Sequence, residues 1–261
     1  MLKKKISVLM PFFNVEKTLD ASINSILKQT YKNFDLFLVD DGSRDNSHDI
    51  AVKKAKEDSR IILIHNLKNG GISKSLNKII FDLKTDYIAR MDADDQAYKN
   101  RFEIQINFLE KNKDISILGT NVDYFKDNKF LGSSNLPLSN NLIKDQLSKF
   151  NVIIHPSVIM RTKFLKDIGG YNFFFTNAQD YDLWLRARKK YSFANIEEKL
   201  LRYNITEKKS VKNDMYGVYA RIKNLSLNKH FFIQFFWIFV ALFLVLLRRM
   251  GLKQSIFRKK N

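Results

Sequence analysis

Residues 35–43 read DLFLVDDGS. The apolar run inside it is too short for a helix. Because turn residues bound it, it predicts a strand buried on both faces. The strand stops at Asp40-Asp41-Gly42-Ser43, a turn sequence, and a charged segment of helical length follows over 47–58. The same alternation extends in both directions. A strand over 6–10 precedes a helix over 16–29, in which Leu19, Ile23, Ile26 and Leu27 recur at helical spacing. Strands over 60–64 and 87–91 lead into helices over 73–83 and 99–111. Short apolar strands separated by helices of about 10–15 residues predict βαβ units and a parallel sheet. Such a sheet binds ligands in the crevice at the carboxyl ends of its strands. Beyond residue 125 the pattern is mixed, with helices over 142–150 and 179–190 and a strand over 157–161.

Composition narrows the class. The 261 residues are 45% apolar and include 22 Phe, enough for a sizeable core and too many for a disordered chain. Three Pro and nine Gly exclude collagen-like and low-complexity sequence. The absence of Cys excludes a disulfide scaffold, a thiol nucleophile, a Cys-ligated zinc site and an Fe–S cluster, and it fits the cytosol. The first residues, MLKKKISVLMPFFN, have a basic start, but their apolar run is too short for a signal peptide.

The net charge of +18 suggests either nucleic acid or an anionic membrane as partner. Its distribution separates the two. Residues 211–261 hold ten Lys/Arg against one acidic residue, Asp214, beside the longest apolar run of the chain, residues 231–247 (FFIQFFWIFVALFLVLL). The turns that would meet a phosphate backbone are acidic, so no nucleic-acid partner is expected.

Those acidic turns are where chemistry would sit. Asp92-Ala93-Asp94-Asp95 follows the fourth strand, and three carboxylates within four residues repel one another unless a cation is present. A second Asp-x-Asp pair, Asp180 and Asp182, lies on a helix. For each pair alone, solvated turn or cap aspartates are the competing reading. Asp40 and Asp41 end the second strand in the same way, either as an Asx-turn or as acceptors for a base N–H and ribose hydroxyls. Asn69-Gly70-Gly71 opens the third helix and offers backbone N–H groups to an anion. No turn carries GxGxxG, so a dinucleotide site has no support. His48, His65 and His230 read as separate surface or loop residues, with no zinc-like spacing. Arg90 and Arg186 flank the acidic motifs as ion-pair partners or phosphate ligands. Trp184 reads as core or as a stacking surface for a sugar.

Seven motifs occur in order: ISVLMPFFN at 6–14, VDDGS at 39–43, Asn69-Gly70-Gly71 with Asn77, YIARMDADD at 87–95, His155-Pro156-Ser157, Gly169-Gly170-Tyr171 and QDYDLW at 179–184. Together they resemble the family 2 glycosyltransferases over residues 4–205, in the variety found among bacterial lipopolysaccharide and capsule enzymes. The resemblance implies an α/β GT-A fold, a Rossmann-like nucleotide-binding mixed sheet flanked by helices. It implies inverting transfer of a sugar from a nucleotide-diphosphate donor, a UDP-sugar in most of the family, to a glycan or lipid-linked acceptor. Pro11, Asn14, Asp40, Asp41 and Asp92 would bind the donor. Asp92 and Asp94 would hold Mn²⁺ or Mg²⁺ at the diphosphate, with Asp94 the direct ligand. Asp180 would be the general base that takes the acceptor proton.

Two departures stand out. Gln179 occupies a place that is usually acidic, which should ease ionisation of Asp180. A Tyr-Arg-x-His pattern is replaced by Tyr203-Asn204-Ile205-Thr206. A metal-dependent nucleotidyltransferase is the alternative enzyme, and the Gly-rich basic loop it needs after the first strand is missing. The expected organisation is a catalytic domain over 1–210 and a basic, apolar C-terminal segment over 211–261. Basic flanks on both sides of 231–247 favour a membrane-associating helix inserted from one face, re-entrant or tilted, on anionic headgroups. That places the protein at the cytoplasmic face of the bacterial inner membrane.

Overall fold

A computed structural model describes residues 5–67, 70–205, 211–225 and 231–249. The expected alternation is present in the first half. β1 (Ile6–Phe12) precedes α1 (Leu19–Leu27), β2 (Phe34–Asp40) precedes α2 (Ser47–Glu57), and β3 (Ile61–His65) precedes α3 (Ile72–Ile80). β4 (Tyr87–Arg90) is followed by the two-residue β5 (Gln96–Ala97) and by α4 (Arg101–Lys111). β1 pairs in parallel with both β2 and β4, and β2 pairs in parallel with β3.

The second half is not parallel throughout and makes the sheet mixed, as the resemblance implies. It comprises β6 (Ile115–Lys126), β7 (Lys129–Ser133), α5 (Asn140–Leu147), β8 (Ile159–Arg161), α6 (Thr162–Asp167), α7 (Gln179–Ala187) and β9 (Ser192–Asn204). The sheet runs β3-β2-β1-β4-β8-β6-β9-β5, with β7 beside β6. β8 is antiparallel to both β4 and β6, whereas β6 and β9 run parallel with bulges along their length. Asp127 and Asn128 take positive φ in the β6–β7 turn, the conformation a tight hairpin requires. The strand expected over 157–161 is shorter, because His155–Ser157 forms a 3₁₀ turn around Pro156 first.

β1 explains how both faces are covered. All seven of its residues are buried. Ile6, Val8, Met10 and Phe12 join one core with α1, α2 and α4, through residues such as Ile23, Ala51 and Phe102. Leu9 joins the other with α3, α6 and α7, through Leu76, Phe164 and Trp184. Period-2 alternation thus feeds two helical layers around one sheet. The order places β1 between β2 and β4, so successive connections leave in opposite directions and open a crevice at the strands' carboxyl ends.

A clip across the second core fixes the Gly169-Gly170-Tyr171 turn. The Asn77 side-chain amide on α3 donates to the Tyr171 carbonyl at 2.6 Å and accepts the Tyr171 N–H at 2.9 Å. Gly170 has φ +69°, and a Cβ there would stand 2.5 Å from Asn77 Oδ1. Gly170→Ala is therefore expected to destabilise the fold by about 1–3 kcal/mol. A thermal melt followed by circular dichroism should show Tm lower by roughly 3–10 °C, and an unchanged Tm would contradict this account of the turn.

α8 (Val211–Lys223) and α9 (Phe231–Arg249) form a hairpin that packs on α7. Ile238 and Val245 of α9 meet Val218 of α8 in a small core of their own. Arg221 Nε donates to Tyr181 Oη at 3.0 Å and Arg221 Nη1 to the Trp237 carbonyl at 3.2 Å. Among the described residues no helix is long and apolar enough to cross a membrane.

Candidate active site

The acidic loop after β4 is held from below. Ser22 Oγ donates to the carbonyls of Ala93 at 2.8 Å and Asp95 at 2.6 Å, and Thr18 Oγ1 donates to Ala93 at 3.0 Å. Both hydroxyls belong to the start of α1, and no sequence signal singled them out. From the far edge of the sheet Asn204 closes the loop. Its N–H donates to Asp95 Oδ1 at 2.8 Å and its side-chain amide to the Asp94 carbonyl at 2.7 Å. Thus Asn204, which stands where the Tyr-Arg-x-His pattern has Arg, braces the acidic motif.

Carboxylate oxygens of Asp92, Asp94 and Asp95 come within 4.8 Å of one another. Asp95 is buried, and burial together with the charges of Asp92 and Asp94 pushes its carboxyl well above the ordinary range. Its Oδ2 has no hydrogen-bond partner among the described residues. An all-oxygen donor set with a buried, unpartnered oxygen fits a hard divalent cation. Two buried arginines complete the support. Arg90 Nη2 donates to Asp92 Oδ1 at 2.5 Å. Arg101, pushed down to about 9 by burial, donates to the Arg90 carbonyl at 2.9 Å. Arg90 is therefore an ion-pair partner inside the protein, and so is Arg186, whose Nε donates to Asp182 Oδ2 at 2.8 Å.

That pairing separates the two residues of the second Asp-x-Asp motif. Asp182 is fully buried and is held by Arg186 on its own helix and by Asn224 at 3.3 Å. Asp180, in the first turn of α7, is half-buried and accepts from the Asn151 side-chain amide at 2.8 Å. Burial pushes the Asp180 carboxyl up, while the Tyr181 N–H and Asn151 pull it down, and the charge of Asp92 adds to the rise. The charges of Asp92 and Asp180 also act together on Tyr171 and Tyr203, so the two carboxylates share one electrostatic neighbourhood. Asn151, a lone loop residue, had no motif to mark it. Tyr203 faces the same charges, and its hydroxyl is pushed up by burial and by Asp95, Asp92 and Asp94.

The residues expected at the nucleotide end are also placed. Pro11 lies in β1 opposite Val39, and Asn14 follows it with φ 52°, its Oδ1 accepting the Arg44 N–H at 2.8 Å. Asp41 takes the N–H groups of Gly70 and Gly71 at 3.1 and 2.8 Å, and the Ser75 hydroxyl at 2.8 Å. The anion expected at the start of α3 is thus, in this structure, the chain's own Asp41. Asp40 is fully buried, and the Ser43 N–H reaches its Oδ1 at 2.9 Å. Its Oδ2 meets Nδ1 of both His48 and His65, so these two histidines are not the separate surface residues expected. His155 is buried, paired through Nε2 with Tyr171 Oη at 2.7 Å, and burial holds it well below the ordinary imidazole range. Trp184 is fully buried, which makes it core and leaves no face for a sugar. His230 lies outside the described residues.

The sequence pattern described as Glycosyl transferase family 2 matches residues 7–169, more than half of the chain. The chain belongs to this family. The transferase is 34% identical over 239 residues to an uncharacterized glycosyltransferase of Methanocaldococcus jannaschii, covering 88% of this chain and 82% of that one. It is 32% identical over 188 residues, 70% of each chain, to an Escherichia coli protein named UDP-Glc:alpha-D-GlcNAc-diphosphoundecaprenol beta-1,3-glucosyltransferase. Its fold matches TarS 1–349 of S. aureus, solved with UDP-GlcNAc, with a TM-score of 0.71 at 18% identity, covering 97% of this chain and 74% of that one. Of a longer TarS chain it spans 44%. The fold of the transferase is thus GT-A-like, and the nucleotidyltransferase alternative falls away.

Proposed function

We propose that the transferase moves a sugar, with inversion, from a UDP-sugar to a lipid-linked glycan acceptor in cell-surface polysaccharide synthesis. The observation that carries this reading is the Asp92–Asp94–Asp95 carboxylate cluster at the end of β4, with the charge of Asp92 reaching Asp180. The relative named for UDP-Glc and a diphosphoundecaprenol acceptor supports the choice of donor and acceptor class. Pro11, Asn14 and Asp41, with Asp40 behind them, border the nucleotide end. Asp92 and Asp94 would hold Mn²⁺ or Mg²⁺, which would stabilise charge on the departing diphosphate. Asp180, oriented by Asn151, takes the acceptor hydroxyl proton as the new bond forms on the opposite face of the sugar. One base placed in this way suffices for inversion, without a covalent intermediate. A donor screen on the full-length protein with Mn²⁺, reading nucleotide diphosphate release, tests the reading. Release from no nucleotide sugar in the presence of a lipid-linked glycan would overturn it.

The same reading puts the transferase on the cytoplasmic face of the bacterial inner membrane. α9 supports a helix lying on the surface. Gln234, Ile238 and Val245 turn inward, while Phe235, Phe239, Phe243 and Leu246 form one stripe at helical spacing, each more than half exposed. A charged neighbour, α8, covers the inner face, so lipid cannot surround α9. The stripe then enters the interface and the flanking Lys/Arg meet anionic headgroups. Phe239→Asp with Phe243→Asp is expected to weaken partition onto anionic vesicles by at least about 100-fold, since each Phe buries roughly 1.5–3 kcal/mol of apolar surface. Sedimentation with vesicles measures it, and equal pelleting of both proteins would remove the membrane from the proposal.

A further inference from the structure

The geometry points to a second metal site: Asp40, His48 and His65 bind one zinc-class divalent cation, separate from the Asp92–Asp94 site. This inference rests on the fold and not on the sugar-transfer reading. The parallel register sets Asp40, the last residue of β2, beside His65, the last residue of β3. α2 then brings His48 over the same point from its first turn. Asp40 Oδ2 lies 2.8 Å from His48 Nδ1 and 3.0 Å from His65 Nδ1, and the two rings are 4.5 Å apart. All three ligating atoms fall within 4.8 Å of one another.

Three further features favour a cation. The Ser43 N–H fixes Asp40 Oδ1 at 2.9 Å, so Oδ2 is presented in one orientation. The carboxylate is fully buried, whereas the imidazoles are 36% and 38% exposed, which leaves a solvent route and a position for a water ligand. Residues 40–49 carry four Asp and one Arg, a locally negative segment in a chain of net charge +18. Two imidazole nitrogens, one carboxylate oxygen and an open position form the donor set of a tetrahedral Zn²⁺ centre. The all-oxygen cluster at Asp92 suits harder ions, so the two sites differ in preference.

Bonds of about 2.0–2.1 Å to a tetrahedral Zn²⁺ need Asp40 Oδ2 to part from each imidazole Nδ1 by only a few tenths of an ångström. An imidazole that binds the cation through Nδ1 carries its proton on Nε2. The cation would staple β2, β3 and α2 directly behind Asp41, the residue that holds the Gly70–Gly71 amides.

The test uses untagged full-length protein freed of metal by chelation, with Zn²⁺ as ligand and Co²⁺ as spectroscopic probe. Three proteins are compared: the natural chain, His48→Gln/His65→Gln and Asp92→Asn/Asp94→Asn. One equivalent of Zn²⁺ should bind the natural chain and the Asp variant. Tm should rise by roughly 5–10 °C at a hundredfold excess over Kd. Co²⁺ should give the intense visible bands of a tetrahedral site. The His variant should bind Zn²⁺ on the order of 100-fold more weakly and lose those bands. If the double variant does not fold, His48→Gln, which keeps His65 on Asp40, is read by the same criteria. Unchanged Zn²⁺ affinity in the His variant, or a six-coordinate Co²⁺ spectrum that disappears only in the Asp variant, overturns the site. The histidines then serve only as hydrogen-bond donors to a buried carboxylate.

Discussion

Asp180→Asn is expected to lower kcat for sugar transfer by about 10²–10⁴-fold and to leave donor affinity close to that of the natural enzyme. Asn keeps the size and the hydrogen bond geometry that Asn151 meets at 2.8 Å, but it cannot take a proton. The pH profile gives a second readout with a definite sign. Burial raises the Asp180 pKa, so the ionised base is lost at a higher pH than for an exposed Asp, whose pKa is about 3.9. Activity should fall as pH drops through that raised value, and the acid limb should vanish in Asp180→Asn. Asn151→Ala removes a contact that favours the charged form, so it should move the limb further up. Unchanged turnover in Asp180→Asn would exclude this residue as the base.

Asp94→Ala is expected to remove metal-dependent donor binding, and excess EDTA to silence the natural enzyme. Cation assistance is worth several kcal/mol, so the loss of turnover should be roughly 10³-fold or more. Added Mn²⁺ should raise the Tm of the natural protein, because three carboxylates within 4.8 Å repel one another without it. Donor titrations with and without Mn²⁺, on both proteins, measure the effect. Full activity in EDTA would remove the cation from the mechanism.

The first half of the fold was legible because each strand is a short apolar run with a turn sequence at its end, buried on both faces in β1 and β4 and partly exposed in the edge strand β3. β6 and β9 were not. Ser192–Asn204 includes Glu197, Glu198 and Lys199 on exposed positions, and its bulged pairing with β6 breaks a clean alternation. The acidic motif was legible from its clustering. Spacing alone could not say that Asp182 meets Arg186 and Asn224 while Asp180 meets Asn151 and the charge of Asp92. That difference depends on which side of α7 the α8–α9 hairpin covers. Asn151 and Ser22 carry no pattern at all, since one loop amide or helix hydroxyl is like any other until the chain folds back on it. His48 and His65 stand seventeen residues apart, and the β2–β3 register together with the placement of α2, not sequence spacing, makes them neighbours. A run apolar on every face similarly hides that α9 turns Ile238 and Val245 inward and leaves its Phe stripe outside.

The bracing of the acidic loop by Asn204 has a consequence for how the enzyme comes into being. The two bonds span 109 and 110 residues of chain, and β5, beside the loop, pairs with β9 alone among the described residues. Contacts this distant in sequence form late, after the loop closure they require. A nascent chain still threaded through the ribosome at residue 204 already displays its aspartates but cannot yet hold them in place. The enzyme therefore matures from its final strand backwards, and catalytic competence arrives with the last piece of the sheet instead of with the motif that performs the chemistry.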